Sequence, residues 1–237
     1  MSDFRSVRIF GRIIKSLFVL LIVAVNAILL WRVFFSTAIP ESIKTLSVSQ
    51  ATQEAYRAHG EELVLQYQEQ STITRGDKNA GYFAVPSYVF IPEANQVQVV
   101  LRYNNSTLEH LYEDYELDAI PDKAGDWFDV TLVATRDLTP GDRSDNERGE
   151  NLAKERFTHS EVTRDTTLLY TYYRYVFDGI SVDADTVGVF VDVYYNQSIH
   201  YELEAYGRLC IYSDDEDWLP YRLTKKDREA LEAAVAD

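Results

Sequence analysis

Cysteine is nearly missing from this chain: Cys210 is the only one in 237 residues. No intramolecular disulfide can form, so packing alone must hold the fold together. An exported eukaryotic domain of this size would commonly carry disulfides, and their absence points to a bacterial envelope setting. Cys210 itself sits in the apolar run Leu209–Ile211, where a small buried hydrophobe is the expected role. Histidine is scarce too. His59, His110, His159 and His200 are scattered, with no HExxH and no paired His and Cys spacing, which leaves no sequence signal for zinc. The nucleophile elbow GxSxG, the SxxK pair and the phosphate loops GxGxxG and GxxxxGK[ST] are likewise absent. Nothing in the sequence marks an enzyme.

Basic residues are also in short supply, and their placement is uneven. The formal net charge is −15. Residues 1–38 hold Arg5, Arg8, Arg12, Lys15 and Arg32 against Asp3 alone, a net of +4, which leaves −19 on the remainder. A surface that acidic repels polyphosphate, because nucleic-acid affinity comes largely from Lys and Arg displacing counterions. Nucleic acid is therefore not an expected partner.

One long hydrophobic run is present. Leu17 to Phe35 reads LFVLLIVAVNAILLWRVFF, broken only by Asn26 and Arg32. As a helix these 19 residues reach about 28 Å, close to the roughly 30 Å hydrocarbon core of a bilayer. Trp31, Phe34 and Phe35 suit an interfacial aromatic belt, and Arg32 is near enough to the end to extend toward headgroups. Four of the basic residues precede the run, so the positive-inside rule puts the N-terminus in the cytoplasm. A cleaved signal peptide is the competing reading, with Ser36 and Ala38 at its processing site. The run is longer than a usual signal core, which favours a retained anchor. Asn26 is either a tolerated amide or a hydrogen-bonding contact to a neighbouring membrane helix.

The expected organisation follows: a basic cytoplasmic N-terminus over 1–16, a transmembrane helix over 17–35, a juxtamembrane connection over 36–70, and an extracytoplasmic β-rich domain over 71–237. Within the connection, Ser49 to His59 reads as a short polar helix ended by Gly60. Beyond residue 82 the pattern changes to period two. Val97, Val99, Leu101 and Tyr103 oppose Gln98 and Arg102; Phe128, Val130, Leu132 and Ala134 repeat the alternation; Val187 to Tyr195 and Tyr201 to Ile211 extend it. Strands with one buried face need this spacing. Tyr82 to Ile91 and Leu168 to Phe177 are rich in aromatic and β-branched residues on both faces and read as central or doubly covered strands, with Pro86 and Pro92 predicting a bulge or edge in the first. Ser106 to Glu109 predicts a capping box opening a helix that runs to Leu117, and Thr224 to Asp227 predicts a second, C-terminal helix. The fold class expected is mainly β, a β-sandwich of immunoglobulin-like arrangement among the options, with short added helices.

Two weak binding signals remain. Asp178, Asp183 and Asp185 fall in the loop DGISVDAD, and Asp214, Asp215 and Asp217 follow the last long strand. Acidic loops can supply the oxygen ligands that calcium takes, although solvated turns are the commoner reason for such residues. Tyr170, Tyr172, Tyr173, Tyr175, Tyr194 and Tyr195 could form a platform for glycan, but cross-strand core pairs are the usual use of such rings. The functional expectation is a membrane-anchored, non-catalytic domain that engages a protein partner or itself, with a glycan- or calcium-binding module as the alternative. Protease added to intact cells should digest the tyrosine-rich portion; protection until lysis would reverse the orientation derived from the arginines.

Overall fold

The structure, a computed structural model, describes residues 3–36, 38–60, 63, 65–67, 80–137, 152–196, 205–213 and 218–236. The chain divides into two compact units, Met1–Ala38 and Ile39–Asp237.

The first unit is one helix, α1 (Asp3–Ser36). Its stretch Ile14–Trp31 has a mean hydropathy of 2.4, none of it is buried, and it is long and apolar enough to cross a membrane. Such a surface is stable in lipid and costly in water. The Asn26 side chain donates to the Ile22 carbonyl at 2.8 Å, so the helix itself takes up one of the amide's donors.

Among the described residues ten strands build the second unit: β1 (Leu65–Tyr67), β2 (Phe83–Ile91), β3 (Gln96–Asn104), β4 (Phe128–Asp137), β5 (Leu152–Thr158), β6 (Glu161–Thr166), β7 (Tyr170–Asp178), β8 (Thr186–Tyr195), β9 (Gly207–Ser213) and β10 (Leu219–Tyr221). They form two antiparallel sheets, of order β10-β1-β2-β3-β7-β6 and β5-β4-β8-β9. The alternation seen in the sequence puts Val97, Val99 and Leu101 of β3, with Tyr173, Tyr175 and Phe177 of β7, into one core with Val130, Leu132 and Ala134 of β4 and Val189, Val191 and Val193 of β8. Rings dominate it. Phe83, Tyr103 and Phe128 meet edge-to-face at centroid distances of 5.0 to 6.4 Å, and Tyr173 stacks on Tyr175 at 5.5 Å. Such offset and T-shaped contacts add to what burial alone contributes.

Among the described residues four α-helices accompany the strands. α2 (Glu41–Lys44) and α3 (Gln50–His59) precede β1, α4 (Asn105–Asp114) lies between β3 and β4, and α5 (Lys225–Ala236) ends the chain. α3 matches the expected helix, with Ser49 accepting from the Thr52 amide and Gly60 at φ +57 ending it, a conformation that suits glycine. α5 opens as expected too, since Thr224 and Asp227 exchange amide-to-side-chain bonds.

Three details differ from the sequence expectation. α4 begins earlier than the Ser106 capping box implies, because Asn104 accepts from the Thr107 amide at 3.1 Å and claims the cap. It also ends before Leu117, where Glu116 turns to φ +49. By contrast, β2 lies inside the sheet and its ladder slips between Ala84 and Ser87, the bulge that Pro86 predicted. Most consequential is β3, whose second face is not solvated: Gln96 and Gln98 are both fully buried. The segment that reads as a juxtamembrane connection contributes to this burial, with Ile43 packed on Val100 and Tyr172, and Leu46 and Ala55 packed on Val89 and Ile91.

Burial raises the phenols of Tyr103, Tyr173 and Tyr175 above their ordinary value of 10.0. The folded state therefore keeps protons that the unfolded chain releases above about pH 10, so stability is whole below that pH and falls as pH rises through it. In an alkaline titration a fraction of the tyrosinate absorbance should appear only together with loss of circular dichroism. A single smooth titration of every tyrosine near pH 10, with the fold intact, would contradict this packing.

Candidate functional site

The outer face of the six-stranded sheet carries a continuous polar network. Residues at every second position of β3 and β7 point there: Gln96 and Gln98 from one strand, Arg174 and Asp178 from its neighbour. Gln96 donates to Ser49 Oγ and Asp178 Oδ1, each at 2.6 Å, and accepts from Thr52 Oγ1 and Gln98 Nε2. Gln98 donates also to the Ser47 carbonyl and accepts from the Ser47 amide at 2.9 Å and from Arg174 at 3.1 Å. Each amide thus uses its full hydrogen-bonding capacity, which is what makes burial of two glutamines tolerable.

Arg174 is the network's anchor. It is 2% exposed, and its guanidinium donates to the carbonyls of Ile43 (2.7 Å) and Lys44 (3.0 Å) as well as to Gln98. No carboxylate touches it in these bonds. Burial lowers its pKa to about 10, partly offset by the charges of Tyr221 and Asp227. The two carbonyls lie at the end of α2, where a cation complements the exposed backbone oxygens.

Asp227 forms a second latch. Its fully buried carboxylate accepts from the Leu46 amide at 2.9 Å through one oxygen, and from Thr224 and the Tyr221 hydroxyl through the other. A residue that caps α5 therefore also binds the segment between α2 and α3. The network's chemistry is that of a clamp: its groups are engaged with one another and hold residues 42–52 on the sheet.

The acidic residues singled out from the sequence have separate partners. Asp178 accepts from Gln96 and Ser160. Asp183 pairs with Arg136 at 2.6 Å and accepts from Thr186; burial acts to raise its carboxyl pKa, but these bonds outweigh it and hold it below the ordinary value. Asp185 donates its amide to Asp183 and its carbonyl accepts from Asp137. Asp214, Asp215 and Asp217 lie outside the described residues. Among the described residues no three His, Cys, Asp or Glu side chains converge as a metal-holding group. The tyrosines considered as a platform are core residues: Tyr172, Tyr173, Tyr175, Tyr194 and Tyr195 are buried and Tyr170 is half-buried.

The four-stranded sheet offers a different outer face. A groove of about 260 Å³ is floored there by Val133, Gly188 and Phe190, walled by Leu152, and rimmed by Lys154 and Arg208. Arg208 grips the fully buried Asp192 through two bonds of 2.6 and 2.7 Å and lies over the Phe190 ring. Cys210, expected to be buried, is half-buried on this face and donates to the Tyr212 carbonyl. Comparison with known protein families, with curated proteins and with solved structures yields no match to this chain.

Gln96, Gln98, Arg174 and Asp227 did not stand out in the sequence as a set, because they are distant in the chain. A signal did exist: a lone arginine within TYYRYVF, and glutamines within QVQVV, break otherwise apolar strands. Arg174→Met keeps the apolar stem but leaves the Ile43 and Lys44 carbonyls and Gln98 short of a donor. It should lower the unfolding free energy by about 2 to 4 kcal/mol and expose residues 42–52 to limited proteolysis. Unchanged urea unfolding and an unchanged cleavage pattern would show that the clamp holds nothing.

Proposed function

We propose that this chain is a single-pass membrane protein whose β unit faces away from the cytoplasm and serves as a non-catalytic, protein-binding or structural component of a bacterial envelope. The exposed apolar helix carries the reading: none of Ile14–Trp31 is buried, Arg5, Arg8 and Arg12 precede it, and Lys15 lies at its start. Lipid is the environment that stabilises such a surface, and basic residues on one flank favour a cytoplasmic N-terminus.

The connectivity supports an immunoglobulin-like version of the sandwich. Four successive hairpins, β2-β3, β4-β5, β6-β7 and β8-β9, alternate between the sheets, and β3 pairs with β7 while β4 pairs with β8. In immunoglobulin terms the shared order is A-B-E-D on one sheet and C′-C-F-G on the other. β1 and β10 extend the first sheet beyond β2. Folds of this kind host binding through loops and sheet faces, so the analogy favours recognition over chemistry without identifying what is recognised.

In-cell crosslinking followed by purification of the full chain tests the reading. A reproducible crosslinked partner, or a crosslinked second copy, is expected. Recovery of uncrosslinked chain alone, under conditions that capture other envelope proteins, would overturn it.

A further inference from the structure

We propose that two copies of this chain pair side by side in the membrane through one face of α1, with the Asn26 amides of the two helices hydrogen-bonded to each other. The inference rests on the membrane-spanning reading above and adds the partner, a second copy, and the residues that meet it.

The amide supplies the driving force. Asn26 is exposed within the apolar stretch Ile14–Trp31, about 5 Å from its midpoint at 1.5 Å of rise per residue. A side-chain amide has two N–H donors and a carbonyl oxygen. One N–H is donated to the Ile22 carbonyl at 2.8 Å, and among the described residues no other hydrogen bond engages the rest of the group. Hydrocarbon has neither donor nor acceptor, so the second N–H and the oxygen need a polar group on another helix at the same depth. A second copy has that group by construction. Arg5, Arg8, Arg12 and Lys15 give every copy the same orientation, so two parallel helices bring Asn26 to Asn26. A two-fold axis between them lets each amide donate to the other's oxygen.

The surrounding face fits such a pair. Val19, Ile22, Asn26 and Leu29 are spaced three, four and three residues apart, and at about 100° per residue they occupy an arc of about 80°. All four are exposed. As heptad positions they read a, d, a, d. Valine at a favours two strands, and a single asparagine at a fixes the register. Small residues offer no competing seam: between residues 14 and 31 no two of Gly, Ala, Ser or Thr stand four apart, so the close right-handed crossing of small-xxx-small helices is not available. A left-handed pair crossing at about +20° is the geometry that remains. Lys15 falls on the same line at the cytoplasmic end, where its long stem can carry the charge to the headgroups.

The test uses the full chain. In a Cys210→Ser background, single cysteines are placed along α1 and oxidised with copper phenanthroline in native membranes. Ile22→Cys and Leu29→Cys should give disulfide-linked pairs of the chain, whereas Ala24→Cys and Ile28→Cys, on the opposite side, should not. Sedimentation equilibrium in density-matched detergent micelles then measures the dissociation constant of the pair. Asn26→Leu should raise it about threefold to thirtyfold, and Asn26→Gln, which keeps an amide, should restore most of the pairing. Equal crosslinking on both sides, an unchanged constant in Asn26→Leu, or monomer alone would overturn the proposal. A chain that is monomeric when purified, yet crosslinks through the Ile22 and Leu29 positions to a different membrane protein, would overturn it in favour of an unlike helix. Extraction with alkaline carbonate separates the two failures. A chain that stays with the membrane but does not pair loses only the pairing; a chain that is released loses the membrane-spanning reading and the pairing with it.

Discussion

A buried guanidinium without a direct carboxylate partner is the constraint around which the larger sheet is organised. Taking Arg174 out of water is costly, and each of its three guanidinium nitrogens donates to an oxygen. Those oxygens come from the chain just after residue 40 and from Gln98, whose own remaining bonds lead on to Gln96, Ser47 and Asp178. The cost of one charge is thereby spread over a network in which each amide and hydroxyl fixes the next. Coupling of this kind specifies a single register more sharply than apolar packing does, because a one-residue slip would strand several buried polar groups at once.

The same arrangement turns the second face of the sheet into an interior. Ile43, Leu46 and Ala55 close over Val100, Tyr172, Val89 and Ile91, and Asp227 ties the cover to the cap of α5. Segments from opposite ends of the compact unit are consequently fastened to each other through one carboxylate. The other sheet is treated differently. Its outer face keeps a shallow groove rimmed by Lys154 and Arg208, so the two sides of the unit are unequal.

Legibility in the sequence varied with the range of the interaction involved. Strands β3, β4 and β8 could be read because side chains alternate locally at period two, β7 because aromatic and β-branched residues fill both its faces, and α3 and α5 because their caps lie within three residues. The start of α4 escaped because Asn104 caps the helix two residues earlier, accepting from the Thr107 amide and from the Ser106 hydroxyl itself. Gln98 was read as solvent-facing since its alternation with valine has two meanings, one exposed and one covered by a distant segment. Of the acidic residues around that loop, Asp178 ends β7 and turns its carboxylate to Gln96 and Ser160, while Asp183 turns to Arg136, contacts that no spacing rule reveals.

By itself, the sequence determined that this chain has a helix apolar enough for lipid, can form no intramolecular disulfide, and folds as strands with short helices, since each of these depends on composition or on neighbours within a few residues. Only the tertiary structure decided that residues 42–52 cover a sheet, that Arg174 and Asp227 hold them there, and that Lys154 and Arg208 rim a groove. Those outcomes join positions more than a hundred residues apart, such as Ile43 with Arg174. Local periodicity carries no information about which distant surface will exclude water from which strand.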